Sequence, residues 1–147
     1  MDGSANDLDL ARLLAVVERR ITLRLGEALK ADGATVEEWR VLSLLADEAG
    51  HAMSEIAEFA MLPAPTLTKV VDRMVAANLV YRRVDDADRR RVLVFIAEHG
   101  REAFRRWNAA VERDREDLAQ TVSSEEIGLL TALLIRMSSG LGAAHQR

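Results

Sequence analysis

Apolar residues recur at helical spacing from Asp7 to Lys30, with Leu10, Leu13, Leu14, Val17, Ile21, Leu25 and Leu29 on one stripe. Asp7 or Asp9 can cap the start of this helix, and Gly33 lies just past its end. Thr35-Val36-Glu37-Glu38 has the form of a capping box, in which the threonine oxygen accepts a first-turn amide and Glu38 reaches back. It opens a second helix carrying Trp39, Leu42 and Leu45 and ending near Gly50. Ser54 can cap a short third helix with Ile56, Ala57 and Phe59 inside. Pro63 and Pro65 start a fourth, because proline is tolerated where an amide has no intrahelical acceptor. Leu67, Val70, Val71, Met74 and Val75 give that helix one apolar face, and Asn78 follows where a left-handed residue ends a helix.

The period then changes. Val80, Val84, Val92, Val94 and Ile96 favour strand, and Asp85-Asp86-Ala87-Asp88 favours a turn, so residues 79–97 read as a two-stranded hairpin. Helical spacing returns from Glu98 to Val122, with Phe104, Trp107, Val111 and Leu118 on a stripe. A second capping box, Ser123-Ser124-Glu125-Glu126, opens a last helix through Ile127, Leu130, Leu133, Leu134 and Met137, and the tail from Gly140 is expected to fray. A short helix, a tight turn, a second helix and a hairpin form a winged helix-turn-helix. The fold expected is mainly α, with a two-stranded β wing and N- and C-terminal helices forming a dimerisation lobe. Residues 1–147 are read as a single domain, 35–97 as the winged lobe, and 7–31 and 98–140 as dimerisation helices.

Charge turns this outline into chemistry. Five arginines (Arg82, Arg83, Arg89, Arg90, Arg91) flank the hairpin turn. Residues 61–92 hold seven basic and four acidic side chains, a local charge of +3 within a chain of −4, which leaves −7 elsewhere. One polyanion-facing surface on a body that repels polyanions fits this asymmetry. The absence of cysteine excludes disulfides and thiol sensing, and three histidines (His51, His99, His145) argue against a dedicated metal sensor. No cofactor is expected. No glycine-rich phosphate loop or nucleophile–base–acid set is visible, and the paired carboxylates sit at helix starts, so an enzyme is not the reading. The start MDGSANDLDL shows no signal-peptide pattern and no apolar run approaches a membrane span, so a cytoplasmic protein without a membrane partner is expected.

A recognition helix enters the major groove by its N-terminal part. Here Thr66 and Thr68 can bond phosphates or bases, Ala64 or Pro65 can touch a thymine methyl, Lys69 offers a cation, and Arg73 lies one turn beyond. Ser54 and Pro63 would help to present free helix amides to phosphate. In the hairpin, Arg90 is the candidate minor-groove reader, with Asp88 pairing a neighbouring guanidinium to fix the turn. Arg89 and Arg91 are assigned to phosphate contact or to shaping the hairpin, and which strand parity faces DNA stays open.

Over about Leu8 to Met137 the chain resembles the MarR (multiple antibiotic resistance regulator) family of winged-helix transcription factors. The resemblance is carried by Asp88-Arg89-Arg90 with the strand Val92-Leu93-Val94-Phe95-Ile96, by Leu67-Thr68-Lys69-Val70-Val71-Asp72-Arg73-Met74, and by Trp39-Arg40-Val41-Leu42. It departs at Asn78, where many members have glycine, at Ala97, where threonine commonly begins the next helix, and at the serine-poor Pro63-Ala64-Pro65. Apolar residues on the terminal helices (Leu10, Leu14, Val17, Leu118, Leu130, Leu134) exceed what a small winged domain can cover, and each buried leucine is worth on the order of 1.5–3 kcal/mol. The resemblance implies that these helices build a two-fold dimer on a palindromic operator, with half-sites about one helical turn apart. It also implies a small aromatic or anionic effector that releases a repressor, with Arg12, Arg20, Trp39 and His51 as ligand candidates. The competing reading is a winged-helix protein-interaction module without sequence-specific DNA binding.

Overall fold

The computed structural model describes the backbone of residues 3–144 and the side chains of residues 9–142; His145 lies outside them. Among the described residues six helices and three short strands follow in the order α1 (Gly3–Lys30), α2 (Val36–Leu45), β1 (His51–Ala52), α3 (Met53–Ala60), α4 (Ala64–Ala76), β2 (Val80–Val84), β3 (Val92–Ile96), α5 (Glu98–Leu118) and α6 (Ser124–Ala144). The elements form two compact units, residues 1–111 and 112–147, with the division falling inside α5.

Local chemistry sets most of the boundaries. The Thr35 hydroxyl oxygen accepts the Glu38 amide at 3.2 Å, and the Glu38 carboxylate accepts the Thr35 amide at 3.1 Å, so both expected halves of the capping box are made. Ser123 and Glu126 repeat the arrangement ahead of α6, at 3.2 and 2.9 Å. Three helices end in paired backbone bonds around a left-handed residue. Gly33 closes α1, Met61 closes α3, and Asn78 closes α4, where the Leu79 amide returns to the Met74 carbonyl at 2.9 Å and the Asn78 amide to that of Val75 at 3.0 Å.

The structure departs from the sequence outline at several termini. α1 begins at Gly3, so Asp7 and Asp9 lie within the helix and neither caps it. α2 stops at Leu45, before a turn that reaches Gly50. The cap of α3 is Ala52, whose extended backbone is fixed by pairing with Leu93; Ser54 is therefore inside the helix and does not cap it. Phe59 is half exposed and does not enter the core. Pro63 is the cap residue of α4, with Pro65 in the first turn. α5 ends at Leu118, and α6 continues through Gly140 to Ala144, since a glycine costs a helix interior only about 1 kcal/mol.

The wing hairpin belongs to a three-stranded antiparallel sheet of order β1-β3-β2. β2 and β3 pair from Val80 with Ile96 to Val84 with Val92, and His51 pairs with Val94. Alternation along β3 sends Val94 and Ile96 inward, while Phe95 faces out and stacks on Tyr81 at 5.4 Å. Phe95 lies so close to Gly50 that a β-carbon there would fall 2.4 Å from its ring, and Gly50 also has φ +73°. The core under the sheet is formed by Leu29, Val41, Leu42, Leu45, Ile56, Leu67, Val71, Met74, Val80, Val94 and Trp107. It holds α1 to α4, the sheet and the first part of α5 as one body, which fixes where α4 and the wing stand.

α6 differs. None of its described residues is buried, and Leu129, Leu130, Leu133, Leu134, Ile135, Met137 and Leu141 are all exposed. On α1, Leu10, Leu13, Val17, Ile21 and Leu23 are exposed too.

Candidate nucleic-acid interface

α4 separates its residues by chemistry. Leu67, Val70, Val71 and Met74 are buried, whereas Ala64, Pro65, Thr66, Thr68, Lys69 and Arg73 are exposed. No side chain caps α4, and its first intrahelical bond runs from the Leu67 amide to the Pro63 carbonyl at 3.0 Å. The amides of Ala64 and Thr66 therefore have no acceptor within the helix and are free to bind an anion. Thr68 donates its hydroxyl proton to the Ala64 carbonyl at 3.0 Å, so in this rotamer it presents only lone pairs, suited to a base donor and not to a phosphate. Ser54 is exposed on α3.

The five wing arginines are not equivalent. Arg82 pairs with Asp72 on α4, tying the base of β2 to that helix. Arg83 lies over the Phe95 ring at 4.8 Å and near Asp86 at 3.8 Å. Arg91 donates to Glu55 on α3 at 3.0 Å. Arg89 and Arg90 remain exposed, and among the described residues neither makes an ion pair.

What holds those two at the tip is backbone hydrogen bonding. The loop from Asp85 to Arg91 is closed by the Asp85 amide donating to the Arg91 carbonyl at 2.9 Å. Asp85 accepts the Ala87 amide, and Asp88 accepts the Arg90 amide, each at 3.0 Å. The Arg91 amide also donates to the Asp88 carbonyl at 2.9 Å. Asp88 thus fixes the turn as expected, but through the Arg90 amide: the expected pairing with a guanidinium is replaced by an Asx-turn. Asp88 therefore makes its hydrogen bond to main chain, and neither Arg89 nor Arg90 is tied to it by an ion pair among the described residues.

The ligand candidates lie on separate elements. Arg12 and Arg20 are exposed on α1. Trp39 is half-buried in α2 against the core, and its indole N–H is buried without an acceptor among the described residues. His51 has both ring nitrogens against carboxylates, Nε2 to Asp47 at 2.8 Å and Nδ1 to Glu55 at 2.9 Å. Those neighbours repel an anion. Glu55 and Asp47 were not singled out from the sequence: each lies four positions from His51, but His51 is in β1, outside any helix, so only the folded turn brings the three together. Among the described residues no group of three or more His, Cys, Asp or Glu is placed so that it could hold a metal ion, and no helix is long and apolar enough to cross a membrane.

Comparison with known proteins bears on this arrangement. A family profile described as "MarR family" matches residues 32–91, the span from the end of α1 to the end of the wing loop. The HTH-type transcriptional regulator FarR of Neisseria gonorrhoeae is 26% identical over 104 residues, covering 71% of each chain. The homoprotocatechuate degradative operon repressor of Escherichia coli is 24% identical over 106 residues, covering 72% of each. Among solved structures, a mutant MarR from E. coli complexed with operator DNA superposes with a TM-score of 0.78 at 23% identity, covering 93% of this chain and 99% of that one. NadR in complex with 4-hydroxyphenylacetate gives 0.74 at 23% identity, covering 84% and 88%.

Proposed function

We propose, on the match of residues 32–91 to the MarR-family profile, that the chain is a member of that family: a homodimeric repressor that binds a palindromic operator and is released by a small aromatic or anionic ligand. The observation that carries the reading is the selective freedom of the wing tip. Arg82 and Arg91 are paired with α4 and α3, and Arg83 with Phe95 and Asp86 inside the wing, while Arg89 and Arg90 are exposed and make no ion pair among the described residues; the N-terminus of α4 is likewise uncapped. In this reading residues 35–97 bind DNA. Ala64, Pro65, Thr66, Thr68, Lys69 and Arg73 enter the major groove, Arg90 enters the minor groove, and Arg89 and the exposed Ser54 contact phosphate.

Residues 7–31 and 98–140 form the dimer. Leu130, Leu133, Leu134, Met137 and Leu141 recur on α6 at helical spacing, as Leu10, Leu13, Val17 and Ile21 do on α1, and all are exposed in the single chain. A second copy covers them. NadR was solved with 4-hydroxyphenylacetate, which makes aromatic acids the class to screen here. Trp39, whose indole donor lacks a partner, together with Arg12 and Arg20, supplies polar groups such a ligand can use.

Selection of bound duplexes from a random pool tests the reading. A two-fold symmetric sequence with half-sites about one helical turn apart is expected, with binding that weakens steeply as salt rises. Failure to enrich any sequence, or retention indifferent to salt, would overturn it.

A further inference from the structure

His51 sits where the helix-turn-helix meets the wing. It opens β1 in register with Val94 of β3, and its side chain is 16% exposed. Its Nε2 lies 2.8 Å from Asp47 in the turn after α2, and its Nδ1 lies 2.9 Å from Glu55 in α3. The other Glu55 oxygen accepts from Arg91 at 3.0 Å, at the last residue before β3. One unbroken line of contacts therefore joins the turn after α2, the imidazole, the first turn of α3 and the end of the wing loop.

A neutral imidazole has one N–H and one lone pair, so it can donate to only one of two carboxylates. Contacts at both nitrogens require the imidazolium. The surroundings favour that form. Burial pulls the ring's pKa down, but the hydrogen bonds and charges of Asp47 and Glu55 outweigh it and hold the ring above the ordinary histidine value. Glu55 is held below the ordinary range by its bond to His51, and Arg91 adds to this; Asp47 is held low first by the Ala49 amide and then by His51. The remaining charges beside the turn, Glu48 and Arg101, pair with each other at 3.3 Å.

We propose that the His51 imidazolium is a positioning residue for the wing: it orders the Glu55 carboxylate that holds Arg91, and so sets the end of the wing loop against the helix-turn-helix. Deprotonation removes one donor, and one carboxylate turns away from the ring. Glu55, about half exposed, then keeps Arg91 alone, and the end of the wing loop loosens. DNA affinity falls in consequence as the ring loses its proton. That last step rests on the DNA-binding reading; the line of contacts does not.

The test begins with NMR titration of the DNA-free full chain, following the His51 ring together with the Arg91 and Val92 amides. The ring is expected to titrate above about 6.5, with both amides moving at the same midpoint. His51→Gln is expected to abolish the amide titration, and Glu55→Gln to lower the ring's midpoint; folding of each variant is verified from its amide spectrum. A ring midpoint at or below the ordinary value, or amides that titrate unchanged in His51→Gln, would overturn the proposal. With a fluorescent duplex taken from the selection, wild-type affinity is expected to fall between about pH 6 and about pH 8 by at least about threefold more than that of His51→Gln. Equal pH profiles would overturn the positioning role. Absence of DNA binding with the NMR coupling intact would instead count against the proposed function.

Discussion

Replacing Gly100 with alanine tests how the wing is fastened to the body. Gly100 lies in the first turn of α5, and a β-carbon there would fall 1.9 Å from the Leu79 carbonyl oxygen and 3.0 Å from an Ile96 side-chain carbon. That oxygen cannot easily move, since it accepts the Ala97 amide at 2.9 Å while the Leu79 amide is bound to Met74 at 2.9 Å. Two terms oppose each other. Alanine gains about 1 kcal/mol in helix propensity, whereas forcing a carbon into a packed backbone site costs about 1–3 kcal/mol and breaking the Ala97–Leu79 bond about another 1 kcal/mol. The cost wins, by about 2 kcal/mol. At roughly 2–4 °C per kcal/mol for a chain of this size, the melting temperature should fall by about 4–8 °C. Calorimetry at one fixed protein concentration measures this, because the proposed dimerisation would make the midpoint depend on concentration. Gly26→Ala is the control: its new β-carbon would meet nothing nearer than a Val36 methyl at 3.9 Å, so it should melt at or above the wild type. Gly100→Ala melting as high as Gly26→Ala would show that the Leu79 carbonyl yields to the new carbon without cost.

Thr35→Ala removes the hydroxyl that accepts the Glu38 amide and should cost about 1 kcal/mol, read as a lower denaturant midpoint with unchanged slope. The His51 cluster gives stability two pH limbs. Asp47 and Glu55 have lowered pKa values, so their contribution is present above the ordinary carboxylate range and is lost as pH falls through their folded values. His51 is raised, so its contribution is complete below the ordinary histidine value and is lost as pH rises through the folded one. Denaturant midpoints across pH at constant ionic strength should show both limbs in wild type and only the acid one in His51→Gln; a persistent alkaline limb would reject the assignment. Leu130→Asp with Leu134→Asp places two charges on the exposed α6 face, and sedimentation should show a monomer; an intact dimer would remove α6 from the interface.

What was readable in the sequence was local. The two capping boxes, the left-handed Asn78, the prolines opening α4 and the shift to strand alternation at Val80 depend on residues within a few positions of one another, and the structure contains them all. β1 was not readable, because two residues carry no alternation and the strand exists only through its pairing with β3. That pairing is also why Ser54 fails to cap α3. The wing shows the same boundary. Its arginines and its turn were evident, but Arg91 is paired with Glu55, 36 positions away, and Arg82 with Asp72 on α4. Only the folded chain distinguishes them from Arg89 and Arg90. α6 outran its expected end: it runs through Gly140 and Gly142 to Ala144, since a glycine costs a helix interior only about 1 kcal/mol and does not by itself end it.

In the proposed function DNA is held by the free wing arginines and not by the anchored ones. Fluorescence anisotropy of a selected duplex, measured over a salt series for wild type, Arg90→Ala and Arg91→Ala, tests it most directly. Arg90→Ala should weaken binding and reduce the slope of log affinity against log salt by about 1. Arg91→Ala should leave that slope unchanged, since its charge is already committed to Glu55. A wild-type slope in Arg90→Ala, with the loss appearing in Arg91→Ala instead, would contradict the account.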